Sequence, residues 1–257
     1  MSVSEKTSWG NVADWYDRLL DGQESNYQKD VILPNILRCL AIQPGQALLD
    51  LACGQGFFSR AFSEAGAKVT GQDISPELIQ LAKQAEAKAP KMIAYHVGPA
   101  DDLSSLPSTT HFDLITIILA IQNISQAHLV FQACAERLVS GGRLALVLNH
   151  PAFRIPKSSD WGWDAEKQVQ YRRIERYSSE FSQKITMHPG SNPDIVTYSY
   201  HRPLQYFVKQ LTRAGFVISN LEEWVSHKQS DSGPRAEAEN RARREIPLFL
   251  YLEAQKV

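Results

Sequence analysis

Glycine is missing where a dinucleotide site would need it. After Gly54-Gln55-Gly56 the G-x-G-x-x-G spacing ends on Ser59, and Asp50 stands four residues before the first glycine, where it would repel a pyrophosphate. Cysteine is scarce. The three present, Cys39, Cys53 and Cys134, sit in or beside apolar helical or turn stretches without metal-ligand spacing. They read as reduced core thiols rather than a disulfide framework, and no metal is expected. Charge of one sign is not in excess: 27 Lys and Arg against 28 Asp and Glu give a formal net charge of −1. That excludes the broad basic surface behind nonspecific nucleic-acid binding. No apolar run reaches membrane-spanning length and no charged-then-apolar leader opens the chain, so the expectation is a soluble, cytoplasmic protein with no membrane span. Internal repeats and low-complexity tracts are also missing. At 257 residues the chain has the length of one large domain, or of a domain with an insertion.

What is present is organised around one stretch. Ala47 to Leu51 is a short apolar run of the kind a strand buried on both faces shows, interrupted by Asp50. Cys53-Gly54-Gln55-Gly56 breaks it, and Phe57 to Phe62 recovers a helical spacing. A strand, a glycine turn and a helix follow one another. Glycine suits a turn that adopts positive φ and lets a ligand touch bare backbone, while the helix offers unpaired N–H groups. Asp50 would attract a cationic, amine-bearing ligand to that corner. Ala67 to Asp73 reads as a second parallel strand ending on a carboxylate, seventeen residues past Gly56. That is near the offset at which an acid reaches a ribose diol, whose two hydroxyls a bidentate acceptor can fix. Ser75-Pro76-Glu77 then supplies an N-cap, a first-turn proline and an early acid.

Asp50-Leu51-Ala52-Cys53-Gly54-Gln55-Gly56 resembles the first motif of the class I S-adenosylmethionine-dependent methyltransferases, and Asp73-Ile74-Ser75-Pro76-Glu77-Leu78-Ile79 resembles their second. The resemblance implies S-adenosyl-L-methionine as cofactor. The residues it points to are Tyr16, Asp50, Ala52, Gly54, Gln55, Gly56, Phe57, Asp73, Ile74, Ala100, Asp101 and Leu119. Trp9 to Asp17 is similar to the segment that small-molecule members fold over the cofactor, with Tyr16 as a contact. Gly98-Pro99-Ala100-Asp101-Asp102 departs from the family pattern, since Pro99 stands where an acid reads the adenine edge. That task falls to Asp101 or to the backbone of Ala100 and Asp101. His111 to Leu119 resembles the fourth motif, whose strand end borders the methionine moiety, with Asp113 structural. A helix is expected over Ser125–Val139, a stop at Ser140-Gly141-Gly142, and a fifth strand over Arg143–Leu148.

The block from His201 to Phe216 resembles small-molecule methyltransferases of the ubiquinone and menaquinone type, with a helix starting at His201 and stopped by Gly215. Strands over Phe216–Val225 and Pro247–Lys256, joined by a polar, partly helical excursion, imply an antiparallel last strand. The fold expected is α/β: a Rossmann-like, doubly wound seven-stranded sheet with a lid insertion after strand five. The divisions are 1–40 (cofactor-covering helices), 41–148 (cofactor-binding core), 149–202 (lid and substrate insertion) and 203–257 (the elements completing the core). In the insertion, Arg172-Arg173-Ile174-Glu175-Arg176 reads as a solvated amphipathic helix, and Trp161 and Trp163 either line a hydrophobic substrate pocket or anchor the lid. Three histidines, His150, His188 and His201, are candidate general bases for an acceptor that must lose a proton, with His150 first because it ends strand five.

The function that follows is in-line methyl transfer to the O, N or C atom of a small-molecule acceptor. Two alternatives stand beside it, an RNA or protein methyltransferase and a non-catalytic cofactor-binding protein. Against the first of these, Ala120-Ile121-Gln122-Asn123 stands where an N-P-P-Y motif for amino methylation would lie. The oligomeric state is left open.

Overall fold

The computed structural model of the chain describes residues 26–188 and 192–257. Tyr16 and the rest of the Trp9–Asp17 segment lie outside them, as does the side chain of His188. In chain order a single π-helical turn (Gln28–Ile32) runs into α1 (Leu33–Leu40), followed by β1 (Ala47–Leu51), α2 (Phe57–Glu64), β2 (Lys68–Asp73), α3 (Pro76–Lys88) and β3 (Ala94–Val97). Next come β4 (Phe112–Ile118), a short 3-10 turn (Ile121–Asn123), α4 (Ala127–Arg137) and β5 (Leu138–Asn149). Two hairpins follow, β6 (Ser159–Asp164) with β7 (Val169–Ile174) and β8 (Phe181–His188) with β9 (Asn192–His201). The chain closes with α5 (Leu204–Arg213), β10 (Phe216–Trp224), α6 (Ala236–Glu245) and β11 (Phe249–Lys256).

Seven strands form one sheet in the order β10-β11-β5-β4-β1-β2-β3. The five from β3 to β5 are parallel, and β11 runs antiparallel to both β5 and β10. The expected architecture is therefore present, antiparallel last strand included. Alternation along the strands divides the buried residues between two cores. Leu49, Leu51, Ile115, Ile117, Leu144 and Leu146 pack with Phe131 and Phe207 on one face. Leu48, Leu114, Ala145, Val147 and Tyr251 pack with Ile36 and Phe62 on the other. Each large side chain buried this way contributes about 1.5–3 kcal/mol. Because β1 leads to β2 on one side while β4 and β5 lie on the other, the strand order reverses between β1 and β4, and a crevice opens at their C-terminal ends.

Three expectations need correction. Residues 172–176 are not helical. Val169–Ile174 is a strand, in which Arg172, Arg173 and Tyr171 face Trp161, Asp160 and Gly162 across an antiparallel ladder. The alternating pattern Val-Gln-Tyr-Arg-Arg-Ile fits period two once a partner strand supplies the hydrogen bonds. Ser140-Gly141-Gly142 does not separate helix from strand. β5 begins at Leu138 and the three residues form a bulge, where the register jumps from Phe112↔Leu138 to Leu114↔Arg143. His201 ends β9 rather than starting the helix, which begins at Leu204.

A polar tie crosses the sheet at β5 and β11. Buried Glu253 accepts from Arg143 (2.9 Å), Tyr251 (2.8 Å) and Ser219 (3.0 Å), and Arg143 also donates to the carbonyl of Leu40 at the end of α1 (2.7 Å). Glu253→Ala would orphan the tyrosine hydroxyl and leave a half-covered guanidinium without its counter-charge, so it is expected to cost about 2–3 kcal/mol. Urea unfolding checks this, and an unchanged midpoint would show the tie to be dispensable.

Candidate cofactor site

The turn after β1 is built from alternating left-handed residues: Ala52 (φ 59°), Gly54 (φ 58°) and Gly56 (φ 84°). At Gly56 the glycine is needed twice, for its φ and because a Cβ there would overlap the Tyr95 hydroxyl. The turn is pinned by backbone bonds from Cys53 N to Gln72 O (3.1 Å) and from Gly56 N to Cys53 O (3.0 Å). No side chain caps α2, so its first N–H groups are open to a ligand. Across the crevice Leu119, just past β4, also holds positive φ (54°), unusual for a branched residue. Asp50, Ala52, Cys53, Gly54, Phe57, Phe58, Ile118 and Leu119 together line a cleft.

Two carboxylates anchor this cleft. Asp50 is buried and accepts from the hydroxyls of Ser59 (2.6 Å) and Thr116 (3.0 Å), linking β1 to α2 and β4. Burial pushes its pKa up to about 6, against the pull of the two hydroxyls and with the charge of Asp73 adding to the rise. Asp73 accepts from Gly54 N (2.8 Å) and Ser75 N (2.9 Å), which fixes both oxygens and leaves each a further lone pair. Burial raises this carboxyl too, and the N–H groups oppose the rise. Ser75 caps α3 by accepting from Leu78 N (3.2 Å). Beside them Gln72 holds the loop after β3. Its Nε2 donates to the carbonyls of Pro99 (2.8 Å) and Asp102 (3.2 Å), and its Oε1 accepts from Ser105 (2.6 Å). The donor set suits a ligand that is cationic at one end and carries a diol at the other.

Residues 49–146 match a family described as methyltransferase domain. A crystal structure of an S-adenosylmethionine-dependent methyltransferase from Mesorhizobium loti superposes with a TM-score of 0.67 at 26% identity, covering 86% of this chain and 96% of that one. These matches support a class I S-adenosylmethionine-dependent methyltransferase. S-adenosyl-L-methionine is therefore its cofactor, and a glycopeptide N-methyltransferase determined with that molecule bound shares the fold at a TM-score of 0.58 and 17% identity, covering 91% of each chain. An uncharacterised protein of Haemophilus influenzae is 29% identical over 230 residues, spanning 87% of this chain and 86% of that one. Ubiquinone biosynthesis O-methyltransferases of Xanthomonas campestris are 32% identical over 103 residues, which is 40% of this methyltransferase and only 43% of theirs.

Of the residues expected at the site, Asp50, Ala52, Gly54, Phe57 and Leu119 meet in the cleft. Gly56 closes the turn and Asp73 borders it through Gly54. Ile74 is an apolar side chain left 43% exposed beside Asp73. Ala100 is half-buried and Asp101 exposed, on the loop that Gln72 grips. Gln55 points away: its side chain is buried and its Oε1 accepts from Arg60 (2.9 Å). Sequence reading passed over Ser59, Thr116, Gln72, Phe58 and Ile118. A threonine inside the apolar run Leu114–Ile118 and a glutamine next to Asp73 were the available signals, since buried polar residues need partners.

His150, first on position, is bonded at both ring nitrogens. Its Nε2 donates to Glu223 (2.7 Å) and its Nδ1 accepts from Ala152 N (3.2 Å) and Phe153 N (3.3 Å), so both ring nitrogens are used to hold the turn after β5. His201 is buried between Tyr177 and Phe181 and donates from Nε2 to Tyr177 O (2.8 Å). Trp161 and Trp163 are not among the cleft-lining residues; they lie under Arg172 (5.2 Å) and Arg235 (4.7 Å) in the first hairpin, which favours the anchoring reading.

The Asp50 shift predicts a pH dependence. A carboxyl raised to about 6 is neutral below that pH, and a cationic ligand stabilises only its ionised form. Affinity for S-adenosyl-L-methionine is expected to fall as pH drops through 6, by up to about tenfold per further pH unit. Calorimetry between pH 7.5 and 5 measures this, and a slope that persists in Asp50→Asn would belong to another group.

Proposed function

We propose that this methyltransferase acts on a small molecule, at an O, N or C atom presented to the cleft between β1 and β4. The observation that carries the reading is that cleft, bounded by two oriented carboxylates and walled by apolar side chains. The near-balanced charge and the partial similarity to ubiquinone O-methyltransferases support a small acceptor over a nucleic acid.

Bound S-adenosyl-L-methionine supplies a methyl group already activated by the positive charge on its sulfur, so the chain's tasks are alignment and exclusion of water. Asp73 offers two oriented oxygens to the ribose hydroxyls. Ile74 offers an exposed apolar surface to one face of the adenine, and the Gln72-held loop brings the backbone of Ala100 and Asp101 to its edge. Asp50 and the open N–H groups of α2 suit the charged methionine end, and Phe58, Ile118 and Leu119 wall the reacting region. His201 is the candidate kept as a base. Donation from Nε2 makes Nδ1 its basic nitrogen, and burial lowers its pKa, which keeps the ring neutral. It stands next to Arg202, which grips the segment following Leu119 through the carbonyls of Ile124 (2.9 Å) and Ser125 (2.6 Å).

Turnover of methyl-labelled cofactor with panels of phenols, amines and activated carbon acids is expected to find a small-molecule acceptor. Asp73→Asn keeps the shape of the turn but loses charge-assisted bonding, and should weaken cofactor binding by about 1–3 kcal/mol. Methylation of RNA or protein alone, with every small molecule inert, would overturn the acceptor class. Unchanged affinity in the folded Asp73→Asn variant would overturn the ribose assignment.

A further inference from the structure

Among the described residues Arg154 is a half-buried cation with no hydrogen-bonded or ionic partner for its guanidinium. It follows β5, with its backbone N–H bonded to His150 O (2.9 Å) and its guanidinium over the ring of Phe249 (5.3 Å). Among the described residues that guanidinium makes no hydrogen bond and no ion pair. No carboxylate of the described residues acts on its charge, where the groups felt are Tyr27 and Arg172. The other guanidinium of this region, Arg172, is saturated by Phe153 O (2.8 Å) and Ser159 Oγ (2.9 Å). Burial lowers the pKa of Arg154, and the charge of Arg172 lowers it further while only the Tyr27 hydroxyl opposes. A second cation, Lys228, lies over the Tyr27 ring (5.1 Å), and that ring meets Phe249 edge-on (5.6 Å). Leaving a guanidinium half-desolvated and unpaired is costly, and the cost is recovered only when an anion arrives.

The position connects it to the cleft. Phe249 pairs with Asn149 at the end of β5. Asn149 exchanges two hydrogen bonds with Gln122 (2.9 and 3.1 Å), three residues after the cleft-lining Leu119. Phe58 and Ile118 of the cleft belong to the same apolar cluster as Phe249, with Phe57, Leu119 and Tyr27 packed against it. A buried apolar cluster thus connects the cleft to Phe249 under Arg154, and the half-buried Tyr27 ring forms its wall there.

We propose that Arg154 is the anion receptor of the acceptor site, and that the acceptor carries a carboxylate on an aromatic or otherwise apolar body lying along this wall. A planar guanidinium fork matches a carboxylate bidentately, and the half-buried ring of Tyr27 matches the body. This rests on the small-molecule reading above, so its test does not depend on turnover. The full chain, saturated with S-adenosylhomocysteine, is titrated calorimetrically with benzoate, phenylacetate and hydroxybenzoates, each against its neutral amide. At least one carboxylate should bind saturably and its amide should not. Arg154→Met should weaken that carboxylate tenfold or more while melting no lower than the parent, because it removes an unpaired cation, and Arg154→Lys should restore part of the affinity. Carboxylates that fail to bind, bind equally well to Arg154→Met, or are outcompeted by inorganic phosphate at lower concentration overturn the inference. So does a fall in melting temperature in Arg154→Met without loss of binding, which marks the residue as structural. Methylation of neutral small molecules alongside any of those results would leave the small-molecule reading standing and sink only this one.

Discussion

The bond from the Gly54 N–H to the carboxylate of Asp73 is the constraint on which the site depends. Parallel strands end with unpaired backbone groups, and at β1 and β2 those ends lie side by side in a largely apolar sheet. One side chain resolves both. Asp73 takes the turn on one oxygen and the start of α3 on the other, which sets how far the glycine turn can move from the second strand. Asp50 does the same on the opposite side, where Ser59 and Thr116 hold it against α2 and β4. The two carboxylates are thus structural staples, and on the function proposed above they are ligand groups as well, whose burial makes them sensitive to the charge of whatever enters the cleft.

The same economy explains Pro99. The loop after β3 has a proline where the motif led us to expect an acid, and it is held from the end of β2. Gln72 holds the carbonyls of Pro99 and Asp102, and Ser105 holds Gln72. Rigidity passes from the buried end of β2 to a loop whose own side chains are exposed, which leaves backbone groups as the natural reading edge.

Beyond the sheet, the insertion after β5 folds as two hairpins, the first of which takes up residues 172–174 of the expected helix. Aromatic residues there are covered by arginines, as with Trp161 under Arg172 and Phe181 under Arg176 (4.0 Å).

The parallel strands, the glycine turn, the acid at the end of β2 and the antiparallel return of β11 were legible in the chain. Each is written in local pattern: apolar runs too short for helix, glycines where φ turns positive, and a serine-proline-glutamate helix start. The divisions that failed were those where a distant strand supplies the hydrogen bonds. Val169–Ile174 becomes a strand because Ser159–Asp164 faces it, and Ser140-Gly141-Gly142 is absorbed as a bulge because β4 and β11 continue on either side. The fate of a single polar side chain was the least legible of all. Nothing local to His150 says that Glu223, seventy-three residues away, will take its proton-bearing nitrogen, or that Arg154 will be left without an acid. Sequence determined the fold and the cofactor corner, because these rest on periodicity and turn chemistry over a few residues. Tertiary structure alone decided which charges are paired, because pairing depends on what the sheet order brings together.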